Sequence, residues 1–195
     1  MTSFLNPRET RDMKLRTLTS ALLLLLLTPA LLATAQDPAT TVRAIDLGGL
    51  QLKAPVSWKE AKAASTMRKL QLVIPKAEGA DDGELAVFVF PTGAGTIQAN
   101  VDRWAAQFKD ASGQPPKPES KVVKGHNVDV TRVKLAGTFT DPFAGKGAQP
   151  DYKLLGAIVE TPAGAYFLKL IGPAKTVDAA EPAFDKLIAS MKTGS

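Results

Sequence analysis

LAVFVF, Leu85 to Phe90, contains no polar residue. A strand with one face in water alternates apolar and polar side chains, because successive side chains point to opposite faces. An unbroken apolar run therefore predicts a strand covered on both faces, with one layer above its sheet and one below. Nothing in the run demands parallel neighbours.

Two amphipathic stretches can supply those layers. GTIQANVDRWAAQF, Gly95 to Phe108, places Ile97, Val101, Trp104, Ala105 and Phe108 at helical spacing, with Thr96 as N-cap. Asn100, Arg103 and Gln107 border that stripe on one flank, and Gln98, Asp102 and Lys109 on the other. Near the C-terminus, Phe184, Leu187, Ile188 and Met191 share a helical face, with Val177 and Ala180 leading in. DAAE, Asp178 to Glu181, has the form of a capping box, with Pro182 close behind it.

The other extended segments are Arg43–Leu47, Leu50–Ala54 and Met67–Ile74. In the last of these, Leu70, Leu72 and Ile74 share one face, and Met67, Lys69, Gln71 and Val73 the other. Lys121–Val123 and Val128–Leu135 flank a turn at Gly125, His126 and Asn127, while TPAG joins Tyr152–Glu160 to Ala165–Gly172. Thr140–Asp151 has prolines and glycines but no apolar period, which predicts a mobile excursion from the sheet. The expectation is an α+β fold: a largely antiparallel sheet of about six or seven strands with helices on both faces.

The chain begins with a different pattern. Lys14 and Arg16 precede ALLLLLLTPALLATA, which ends on small residues at Ala33 and Ala35. This is the order of a secretory signal, and the apolar core is shorter than the roughly 20 residues a membrane span needs. The reading is a signal peptide over residues 1–35, a flexible start over 36–42, and a single domain over 43–192. Met13 offers a second start, because Glu9 and Asp12 dilute the basic region before it. Export to the periplasm or beyond the cell follows. Cleavage after Ala35 leaves 160 of 195 residues; four of the 24 Lys and Arg and two of the 19 Asp and Glu go with the signal, so the net charge falls from +5 to +3. That small excess does not point to nucleic acid, and the basic residues form no stripe.

The sequence offers little reactive chemistry. With no Cys there is no thiolate, disulfide or lipid-modified cysteine. There is no G-x-S-x-G elbow, and the one histidine, His126, falls at a hairpin tip without an acidic cluster, which is a poor zinc site. Gly93 and Gly95 lead into a helix start and read as a turn with a cap; the other reading is an anion site, although the P-loop spacing is absent. No cofactor and no metal are expected. The polar residues of interest are Arg68 and Arg103. Each can brace the fold by gripping carbonyls or a carboxylate. The other role open to them is a pocket for a planar or anionic ligand, shared with Trp58, Asn100, Gln107 and Tyr152.

The patterns P-x-x-W at Pro55–Trp58, M-R-x-x-x-x-x-x-P at Met67–Pro75 and N-x-x-R-W at Asn100–Trp104 carry a resemblance. With LLGAIVE, YFLKLIGP and a closing helix, the chain from about Arg43 to Lys192 resembles the PsbP-like α/β/α sandwich. That fold is shared by an extrinsic protein of the oxygen-evolving photosystem, a nuclear-import factor that binds Ran, and exported bacterial domains of obscure role. The resemblance implies the fold and brings no catalytic residue, and neither manganese-cluster chemistry nor Ran binding transfers with it. The expected function is that of an exported, non-enzymatic domain binding an envelope protein or a small ligand. The alternatives are a hydrolase using dispersed carboxylates or a serine, and a purely structural envelope accessory.

Overall fold

The apolar run lies within β5 (Gly83–Phe90), which pairs antiparallel with β4 (Arg68–Ile74) on one side and β10 (Gly164–Pro173) on the other. These relationships come from a computed structural model that describes residues 41–141 and 147–194, all within the unit Ala35–Ser195. From β10 the larger sheet continues through β9 (Gln149–Thr161) to β8 (Asp129–Phe139). The two-residue β3 (Lys59–Glu60) pairs with β4, and both β6 (Phe108–Lys109) and β7 (Glu119–Lys124) pair with β8. A smaller sheet joins β1 (Val42–Asp46), β2 (Leu50–Pro55) and β11 (Lys192–Thr193). Every pairing is antiparallel, so the α+β reading stands. The strand count does not: among the described residues the sheets hold eight and three strands, where six or seven in one sheet were expected. Two-residue strands show no period, and the N-terminal pair builds its own sheet.

Successive residues of the central strands enter different apolar clusters, which is why LAVFVF has no polar position. Leu85 and Val87, with Tyr166, Leu168 and Leu170 of β10, pack with Leu50, Leu52 and Ala54 of the smaller sheet and with α2 (Ala174–Ala189). Phe88, Phe90, Ala165 and Phe167 pack instead with Val101, Trp104 and Ala105 of α1 (Ile97–Ala105). Coverage is uneven. Leu85, Ala86 and Val87 are buried, but Phe88, Val89 and Phe90 are only half-buried.

Both helices differ from expectation at one end. α1 starts as read, with Thr96 Oγ1 accepting from the Ala99 N–H at 3.1 Å. It stops at Ala105, so Phe108 is buried as a strand residue opposite Phe139 and not as the last rung of a helical stripe. α2 begins four residues before Asp178, after Pro173, and Pro182 lies inside it. Asp178 and Glu181 therefore form no capping box; Asp178 accepts from Lys153 Nζ at 2.6 Å and Glu181 from Lys134 Nζ at 2.9 Å. Of the expected excursion, Gln149–Asp151 belong to β9, and 142–146 lie outside the described residues. Among the described residues, no helix is long and apolar enough to cross a membrane.

Candidate functional site

The half-buried end of β5 opens onto a cleft of about 550 Å³ beside α1. Its apolar lining comes from Phe88 and Phe90 of β5, Phe167 of β10 and Trp104 of α1. The Phe167 ring meets Phe90 edge-on at 5.5 Å and Trp104 edge-on at 6.2 Å, so these three rings form a connected aromatic surface.

A bulge delivers the first cation. Leu70 pairs with Val87, yet Arg68, and not Lys69, pairs with Phe88. A one-residue slip moves a side chain to the other face of a strand. Regular alternation would group Arg68 with Leu70 and Leu72; the bulge turns it into the cleft instead. Its guanidinium lies 5.8 Å from the Phe88 ring centroid, and its Nη1 donates to Gln71 Oε1 at 3.0 Å and to the Glu84 carboxylate. Gln71 Nε2 also donates to Glu84 Oε2 at 2.8 Å.

The second cation comes from α1. Asn100 is 3% exposed, and its amide donates to the carbonyls of Ala94 and Thr96, each at 2.9 Å. This ties the turn through Gly93 and Gly95, both at positive φ, onto the first helical turn. Asn100 Oδ1 then accepts from Arg103 Nη1 at 2.9 Å, aiming an exposed guanidinium along the cleft.

Lys169 of β10 is the third. Its Nζ donates to Gln107 Oε1 at 2.9 Å and lies 5.9 Å from the Trp104 ring centroid. Burial pushes its pKa down to about 8; Arg68 pushes the same way, while Asp141 and Glu84 pull it back up. Asp141 also lines the cleft.

Of the six residues singled out from sequence, Arg68, Asn100, Arg103 and Gln107 line this cleft together. Trp58 does not. It is 3% exposed in the cluster around α2, and its backbone N–H donates to the Pro55 carbonyl at 3.1 Å, so P-x-x-W is a turn that plugs a core. Tyr152 stacks on Phe139 at 5.9 Å at the margin of the α1 cluster, outside the cleft lining, and burial raises its pKa. Sequence reasoning missed Lys169, although it is the one charge in AYFLKLIG, and an isolated charge within an apolar strand is a usable signal. It also missed Phe88, Phe90 and Phe167 as lining, because their spacing reads only as core. His126 lies elsewhere, at the β7–β8 tip, where its backbone N–H donates to the Met191 carbonyl at 2.7 Å. Among the described residues, no group of three or more His, Asp or Glu side chains is placed to hold a metal ion.

Three cations and four aromatic rings around one cleft suit binding of a flat ligand with negative charge. No protein-family model matches the sequence, and no curated protein does. Among solved structures, the chain is similar to cyanobacterial PsbP (CyanoP) from Synechocystis sp. PCC 6803, with a TM-score of 0.50 and 12% identity over 83% of this chain and 96% of that chain. A protein of unknown function from Pseudomonas aeruginosa matches at a TM-score of 0.43 and 12% identity, over 76% of this chain and 94% of that chain. At such identity the likeness concerns architecture alone, and in architecture the chain has a PsbP-like fold.

Proposed function

We propose that this chain is an exported, non-enzymatic domain that binds a small ligand in the cleft between α1 and the open ends of β4, β5 and β10. The observation that carries the reading is the convergence of Arg68, Arg103 and Lys169 on one aromatic-lined cleft. Its volume falls within the usual range for small-molecule sites, about 300–1,000 Å³. We read the two apolar clusters as the two covered faces of the larger sheet, with α1 on one and α2 on the other, so that the cleft is what α1 leaves uncovered. Export rests on the signal-like segment ending at Ala35. A hydrolase has less support, since Ser65 is the one serine lining the cleft and no histidine lines it.

Protein recovered from the native envelope, with Gln36 at its N-terminus, should carry a small molecule that mass spectrometry finds in the denatured extract. Arg103→Ala should lose that molecule while keeping its melting temperature within a few degrees. An Arg103→Ala protein that melts early but retains the same molecule would leave Arg103 a brace outside the site, and a native extract that yields no molecule would remove the ligand reading.

A further inference from the structure

Resting on that reading, we propose that the ligand is an aromatic carboxylate, its ring lying against Phe88, Phe167 and Trp104 and its carboxylate meeting Lys169 and Arg103. The rings of Phe90, Phe167 and Trp104 are in contact, Phe88 lies opposite Phe167 across the strands, and flat rings stack or meet edge-on with such walls more favourably than a branched chain does. Each cation is already oriented by a neutral amide: Gln107 Oε1 holds one donor of Lys169, and Asn100 Oδ1 holds one of Arg103. An ammonium has three donors and a guanidinium five, so both retain donors for a carboxylate, and the amide partners add no negative charge of their own; Asp141 and Glu84 offset part of the Lys169 charge. Arg68 differs, because Glu84 neutralises it, and its part is to cap the Phe88 ring. The charged groups facing Lys169 are Arg68 from β4, Glu84 from β5 and Asp141 beyond β8.

This arrangement has a pH signature. A bound anion favours the charged amine, so affinity is full while Lys169 is protonated in the free protein and declines as pH rises past about 8. The probe is 2-naphthoate, which stays ionised throughout, with 2-naphthamide as its uncharged counterpart, titrated calorimetrically into the mature protein. Naphthoate should bind at least tenfold more tightly than the amide at neutral pH. Its affinity should fall between about pH 8 and pH 10, and Lys169→Met should reduce the preference, leaving what Arg103 supplies, and abolish the fall. Arg103→Ala should weaken naphthoate at every pH. His126→Ala, outside the cleft, should change nothing. Equal binding of acid and amide, or a flat profile across that range, overturns the carboxylate and leaves the cleft as a site for another ligand. Binding of neither compound overturns this proposal, while the envelope extract separately decides whether the cleft holds any ligand.

Discussion

Trp104 packs as it does because position 156 has no side chain. A Cβ built on Gly156 would come within 2.3 Å of the indole, so β9 keeps a glycine where a strand would otherwise favour a branched residue. Gly156→Ala must displace the ring, and overpacking of this kind costs about 1–3 kcal/mol. Urea unfolding should show that loss, and Trp104→Phe in the same chain should recover part of it by clearing the clash. If the double variant is no more stable than Gly156→Ala alone, the indole is not what the glycine accommodates. Asn100 makes a comparable point about polar groups. The sequence sets it in the row with Arg103 and Gln107, but its three hydrogen bonds go to a turn and to Arg103, so it shapes the cleft from behind.

α2 is held to the sheet by charge as well as by its apolar face. Arg132 of β8 is 8% exposed and donates through Nε to Asp185 at 2.7 Å and through Nη2 to Glu181, which Lys134 also reaches. Burial alone would raise the Glu181 pKa, but the hydrogen bonds from Lys134 and Arg132 outweigh it and hold the carboxyl below its ordinary 4.5. A carboxylate with a depressed folded pKa adds stability above its unfolded value and loses it as pH falls through the folded one. Arg132→Ala should cost about 2 kcal/mol, less than a fully buried pair because Asp185 is half-exposed. The variant should also show a shallower loss of stability on acidification below about pH 4.5, followed by thermal melts; an unchanged acid slope would free Glu181 of this role. None of this contact was legible in the sequence, which placed Arg132 within the extended segment Val128–Leu135 and Glu181 in a cap. What could be read were the long periodic pieces: the apolar run of β5, the N-cap of α1, and the hairpins β7–β8 and β9–β10. What could not be read were features set by pairing. The bulge between Arg68 and Leu70, the end of α1 before Phe108, and the two-residue strands leave no period in the chain. The cleft shared this split, since Arg68, Asn100, Arg103 and Gln107 stood out as polar residues beside apolar ones, whereas Lys169 joins them only once β10 lies beside β5.

The cleft itself follows from areas. Strands lie about 4.8 Å apart, so the five from β4 to β8 span about 19 Å, while a helix with its side chains is about 10–12 Å across. α1, nine residues long, cannot roof that width, and the shortfall falls over β4, β5 and β10. Filling it with apolar residues would be the stabilising solution, yet Lys169 stands there. Its pKa, lowered by burial from 10.5 to about 8, means that charging it is less favourable in the folded state than in the unfolded chain by about 3 kcal/mol. The direction is fixed by proton counting. Below about pH 8 both states hold the proton and the penalty is full; between about 8 and 10.5 the unfolded chain holds more protons than the folded one, and stability rises with pH. Lys169→Met removes the charge and keeps the length, so it should raise the melting temperature at pH 7 and flatten that alkaline rise, with Gln107 turning its freed carbonyl to water. Melts of both proteins across that range compare the two slopes directly. Parallel slopes, or a less stable Met variant at neutral pH, would mean that Lys169 is an ordinary structural lysine. A more stable variant that distinguishes naphthoate from naphthamide less well would identify Lys169 as a residue whose cost to the fold is offset by what the cleft binds.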